Sequence, residues 1–112
     1  MKLSQVKEIL SAQVYSEEAL MDRDVSSAFA CDLMSDVLAF VSDQPLLLSG
    51  LINPQVVRTA EMMDMKAIVF VRGKEPTDEI LELAKEANIA IMSTESTMYR
   101  ACGMLYQNGL FE

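Results

Sequence analysis

The chain has no histidine and no tryptophan in 112 residues, and only two cysteines, three prolines and four glycines. Without histidine, the commonest general base and the commonest metal ligand are both missing, which argues against an enzyme and against a metal centre. Cys31 and Cys102 are too few for a disulfide framework, and neither belongs to a CxxC motif. A zinc or iron–sulfur site normally takes about four protein ligands, so the pair reads as small buried residues, with a redox role or a metal shared across a dimer as the alternative. No apolar run approaches the ~20 residues of a membrane span, and Met1 to Glu8 lacks the apolar core of a signal peptide, so the cytoplasm is the expected location. Nine basic residues stand against 17 acidic ones, and a net charge of −8 repels a phosphate backbone, which speaks against nucleic-acid binding. Neither a GxGxxG fingerprint nor a GxxxxGK[ST] loop occurs, so the two strongest nucleotide signatures are absent.

What is present is apolar: 51% of residues are hydrophobic and 23% charged, a balance that forms a compact globule, and the length suits one domain over 1–112. Its organising stretch runs from Pro45 to Gly73. Two short apolar runs, Leu46-Leu47-Leu48 and Ala67-Ile68-Val69-Phe70-Val71, have the look of strands buried on both faces. Between them Asn53 and Pro54 suit the cap and first position of a helix, and Val56, Val57, Ala60 and Met63 form one apolar stripe. A crossover of this length joins parallel strands with a right hand, so the stretch is a βαβ unit.

The flanking segments extend the pattern. Leu3, Val6 and Leu10 share one side of a short helix, Gln13 to Tyr15 is a brief strand, and Ser16 to Asp24 reads as a surface connection. Val25 to Cys31 alternates as a strand, with Asp32 as N-cap of a helix that buries Met34, Val37, Leu38 and Val41. Thr77 caps a further helix with Asp78 and Glu79 in its first turn, Asn88 takes the left-handed position at its end, and Ile89 to Met92 is another buried strand. Thr94 or Ser96 caps the last helix, which turns Met98, Ala101, Cys102 and Leu105 inward and stops at Asn108-Gly109. Strands alternating with helices mean a single-domain α/β fold, a mostly parallel sheet with helices packed on it.

Ligands of open α/β sheets bind at the carboxyl ends of the strands, where helix N-termini present free N–H groups. Three such junctions are visible: Ser49, Gly50 and Asn53; Arg72, Gly73 and Lys74; and Thr94, Ser96 and Thr97. The glycines let backbone approach a ligand, and Arg72 and Lys74 are basic residues in an acidic chain, so an anion such as a nucleotide phosphate suits them. The same residues also serve as ordinary turns and caps in any α/β protein. Asp32 and Asp36 lie at a helix start, where both favour the dipole, and read as capping residues and not as a catalytic pair. Arg58 and Arg100 read as solvated, and Met62, Met63 and Met65 as adaptable core filling.

The order of these elements and four short strings, Cys31 to Ala39, Leu48-Ser49-Gly50-Leu51, Ile68 to Lys74 and Ser93 to Tyr99, resemble the stand-alone DRTGG-domain proteins of anaerobic bacteria and archaea. The resemblance covers nearly the whole chain. It departs from the family at the eponymous letters: Gly50-Leu51-Ile52 stands where other members carry Gly-Asp-Arg, and Val71-Arg72-Gly73 where they carry Thr-Gly-Gly. The resemblance implies a dimerising regulatory module similar in fold to the N-terminal domain of HPr kinase. Related domains sit beside CBS domains in regulated pyrophosphatases and occur in long phosphate acetyltransferases, and stand-alone members are often encoded near iron-only hydrogenase components.

Two functional expectations follow. One is a non-catalytic homodimeric module that senses an anionic metabolite, such as an adenine nucleotide, at the three junctions without any cofactor or metal. The other is an adaptor for a hydrogenase or related redox assembly with no ligand of its own, using the acidic surface, the Met cluster, Tyr99 and Tyr106.

Overall fold

A computed structural model describes residues 1–112. Five strands, β1 (Gln13–Val14), β2 (Ala28–Ala30), β3 (Leu46–Ser49), β4 (Ala67–Phe70) and β5 (Ala90–Ser93), form one sheet in the order β1-β5-β4-β3-β2. All neighbours are parallel except β1, which pairs antiparallel with β5. The helices are α1 (Leu3–Leu10), α2 (Met34–Phe40), α3 (Pro54–Met62), α4 (Asp78–Ala87) and α5 (Met98–Gln107). The expected α/β architecture is therefore the observed one.

The apolar runs are continuous because both faces of the central strands are covered, and successive side chains serve opposite layers. Leu46, Leu48, Val69 and Met92 pack with Leu3, Val6, Ala101 and Leu105 beneath α1 and α5. Leu47, Ile68, Phe70 and Ile91 pack with Val37, Val56, Ala60 and Ile80 beneath α2, α3 and α4. Each fully buried side chain of this size contributes about 1.5–3 kcal/mol. The three crossover helices thus lie on one face, and the helices nearest the two chain ends cover the other. No helix is long and apolar enough to cross a membrane.

Local signals place the helix ends. The Asn53 Oδ1 accepts from the Gln55 N–H at 2.8 Å with Pro54 next in line, Thr77 Oγ1 accepts from Ile80 N–H at 3.2 Å, and Asn88 has a left-handed φ of 59°.

Several expectations need correction. The stretch Ser16–Asp24 contains a 3₁₀ helix at Glu18–Asp22 that buries Met21, because its single inward residue anchors a tighter turn than 3.6 periodicity reveals. The strand expected over Val25 to Cys31 is confined to Ala28–Ala30, since only that length finds a partner in β3. Leu38 is 43% exposed and outside the buried stripe of α2. The last helix is capped by Thr97, whose Oγ1 accepts from Arg100 N–H, and not by Thr94 or Ser96. Asp32 does not cap α2: Leu33 holds that position without a side-chain bond, and the Asp32 carboxylate is turned elsewhere.

Candidate functional site

Parallel strands in adjacent register end together, so the carboxyl ends of β3, β4 and β5 meet at one edge of the sheet. After β4 the chain runs to α4 on one face, and after β5 it runs to α5 on the other. Divergent connections from neighbouring strands are where α/β sheets open a ligand crevice. Here the two loops are tied across that point: Arg72 N–H donates to Ser96 O at 2.8 Å and Gly73 N–H to Thr94 O at 2.9 Å.

Arg72 and Gly73 are the central residues of a tight turn, closed by Lys74 N–H donating to Val71 O at 3.3 Å. Both are left-handed, with φ of 61° and 67°, as a type I′ turn requires. Glycine adopts this conformation freely, whereas an arginine there costs about 1–2 kcal/mol. The turn directs the Arg72 guanidinium sideways over Gly50, so closely that any Cβ at that position would overlap it. The space above Gly73 is filled in the same way by the Glu95 carboxylate, which would lie 2.6 Å from a Cβ there.

Asp32 completes the corner from the β2–α2 connection. Its Oδ1 accepts from Ser49 Oγ at 3.0 Å and Gly50 N–H at 2.7 Å, and its Oδ2 lies 3.7 Å from Arg72 Nη2. That last separation is an ion pair too long for a direct hydrogen bond, and both side chains are nearly half exposed, so solvent screens it.

The nine junction residues divide by what their polar groups already do. Ser49 Oγ is buried, bonded to Asp32 and accepting from Leu51 N–H. Asn53 and Thr97 cap α3 and α5. The Thr94 hydroxyl is buried, donating to Leu10 O at 2.8 Å and accepting from Ser96 N–H. Gly50 N–H and Gly73 N–H are taken, and the glycines face side chains, Arg72 and Glu95, where an open backbone approach was expected. Charge is left to Arg72 and Lys74, both exposed. Asp32 is the member of the corner that sequence reasoning placed elsewhere. Among the wider hollows, one of about 780 Å³ lies between α1, the 3₁₀ helix and β1, away from this edge, and its charged lining, Lys7, Glu8 and Glu18, converges on no single sign.

The DRTGG domain family matches residues 5–108 of the chain. No curated protein matches it. Among solved structures, the chain is similar to the CBS and DRTGG domains of the regulatory region of Clostridium perfringens pyrophosphatase, complexed with the activator diadenosine tetraphosphate. That likeness has a TM-score of 0.79 at 20% identity and covers 95% of this chain and 46% of that one. At this identity it is a likeness of fold, and this chain spans less than half of the solved region.

Proposed function

The chain belongs to the DRTGG-domain family, and from that premise we propose that it is a non-catalytic, cytoplasmic regulatory module whose sheet-edge corner senses an anionic metabolite, an adenine nucleotide above all, through Arg72 and Lys74. The observation that carries the proposal is Arg72 itself. A non-glycine residue held at a φ of 61° is strained, and strain of this kind concentrates where function requires a side chain in one place. Here it sets a guanidinium across the ends of two strands beside Lys74, with only one loose ion pair to hold it. A guanidinium binds phosphate oxygens in pairs, and the ammonium of Lys74 adds a second charge. The bound activator of the pyrophosphatase region is a dinucleotide, which makes the same ligand class the natural first trial; that region also contains CBS domains. The absence of histidine and the burial of Ser49, the hydroxyl beside a carboxylate, favour sensing over catalysis.

Thermal unfolding with ATP, ADP and diadenosine tetraphosphate, on wild type and Arg72→Ala, tests the proposal. A ligand at 100 times its Kd stabilises by about 2.7 kcal/mol, so wild type should melt several degrees higher and Arg72→Ala should lose most of the shift. No shift with any of the three at millimolar concentration refutes it.

A second reading, an interaction module, has its own observation. Tyr99 and Tyr106 on α5 are 91% and 61% exposed, and Phe111 packs edge-on to Tyr106 at 5.2 Å between ring centres. Exposed aromatics of this density suit a homodimer interface or docking on a redox partner such as a hydrogenase assembly. Sedimentation of wild type and Tyr106→Glu decides the dimer: a wild-type monomer at all concentrations removes it.

A further inference from the structure

We propose that Asp32 is a built-in competitor at the anion site, a carboxylate that occupies Arg72 until a phosphate chain carrying more than one charge replaces it. The inference rests on the corner being an anion site, and it adds which anions that site accepts. Asp32 is anchored independently of Arg72: its Oδ1 takes hydrogen bonds at 2.7 and 3.0 Å from the end of β3, whereas Arg72 stands 3.7 Å from Oδ2. The guanidinium can therefore leave while the carboxylate stays. The flexible end of Arg72 rests over Gly50, and Arg72 belongs to neither apolar core cluster.

A ligand must offer Arg72 more than Asp32 does. A monocarboxylate presents the same charge and geometry as the group already there and gains nothing by exchange. A di- or triphosphate group brings a higher charge and paired oxygens for the guanidinium fork, with Lys74 two residues further along. The carboxylates of Asp32 and Glu95 leave the corner without net charge before a ligand arrives, so weakly charged anions find no attracting field. Asp32 is thus a specificity-determining residue, and the ligand class is polyphosphate-bearing.

Calorimetric titration of the full chain with inorganic pyrophosphate, ATP and acetate tests this on wild type, Asp32→Asn and Arg72→Ala. Asparagine keeps an acceptor for Ser49 and Gly50 but loses the charge that holds Arg72. Removing an exposed ion pair of this kind should tighten pyrophosphate and ATP roughly two- to fivefold, and lower discrimination against acetate. Binding seen only in Asp32→Asn overturns the proposal together with the sensing function, because in the wild type the ligand must itself displace Asp32 from Arg72. If wild type binds, Arg72→Ala does not, and Asp32→Asn binds no better than wild type, the competitor role is overturned while the anion site stands. If neither wild type nor Asp32→Asn binds, or if Arg72→Ala binds as wild type does, both fall. Should Asp32→Asn fail to fold, NMR of wild type decides: pyrophosphate should shift the Arg72 side chain and the Gly50 amide together, and a shift of neither on binding overturns the proposal.

Discussion

Gly50 and Gly73 face the same corner, yet replacing each with alanine should have opposite consequences. At Gly50 a Cβ falls on Arg72, with Cζ at 2.6 Å and Nη1 at 2.9 Å, but the obstacle is the end of a long flexible side chain. The guanidinium swings away and the ion pair with Asp32 is lost, which costs up to about 1 kcal/mol for an exposed pair. Gly50 is outside the left-handed region, so alanine there restricts the unfolded chain and returns about 0.4–1 kcal/mol. The two effects nearly cancel, and Gly50→Ala should unfold within about 1 kcal/mol of wild type. At Gly73 the backbone itself objects. A φ of 67° costs an alanine about 1–2 kcal/mol, and the Glu95 carboxylate must also move from 2.6 Å. Because Gly73 N–H holds the β5 loop through Thr94 O, relaxing that strain loosens the tie between β4 and β5. Urea unfolding with unchanged m values should separate the variants by about 1 kcal/mol or more, or several degrees in Tm for a domain of this size. Equal stability of the two, or a loss above about 2 kcal/mol at Gly50, refutes the account of the corner.

Arg72→Asn should stabilise the fold by up to about 1 kcal/mol, since asparagine tolerates the left-handed position at the expense of one weak ion pair, and it should abolish any nucleotide-dependent shift. A destabilised Arg72→Asn would show that the turn stores no strain. Asn53→Ala removes the cap bond to Gln55 N–H and should lower the urea midpoint by an amount worth about 1 kcal/mol, with a neutral result refuting the cap. Burial raises the Cys102 thiol above its ordinary value of 9.0, so the unfolded thiol ionises first. Wild type should then lose stability more steeply than Cys102→Ala as pH rises through 9.0, and parallel pH profiles of the two would refute the shift.

The parts of the fold legible in the sequence are those whose cause is local. Asn53-Pro54 and Thr77 announce helix starts because a cap bonds within three residues, and Asn88 announces a helix end because few residues accept its φ of 59°. Leu46-Leu47-Leu48 and Ile68-Val69-Phe70 announce doubly covered strands by having no polar alternation. Asp32 failed for the same reason in reverse. Directly before an apolar-periodic segment it has the local form of a cap, yet its bonds go to Ser49 and Gly50, 17 and 18 residues on, and no pattern in one sequence encodes that choice. The left-handed Arg72 was equally hidden, since the residue usual there is asparagine or glycine and the arginine backbone is tied by its N–H to Ser96 O, 24 residues on. Three nearby hydroxyls, Thr94, Ser96 and Thr97, compete to cap α5, and the geometry of the β5 turn, which commits Thr94 to Leu10 O, selects among them.

The topology explains why side chains, and not a backbone cradle, are left to read a ligand here. Where the chain changes face between β4 and β5, an open crevice would expose free N–H groups, but the bonds from Arg72 and Gly73 consume them. What remains at that edge is a carboxylate and a guanidinium set around Gly50. The resemblance to DRTGG-domain proteins leads one to expect an Asp-Arg pair directly after this glycine, where the chain has Leu51-Ile52. In space an acid and an arginine nevertheless meet at this glycine: Asp32, from the connection beside one neighbouring strand, accepts the Gly50 N–H, and Arg72, from the end of the other, covers its Cα. Two residues from separate loops supply at one point the charges that the sequence next to it lacks. A substitution at either should therefore alter this corner as much as a change at Gly50 itself, although neither lies within fifteen residues of that glycine in the chain.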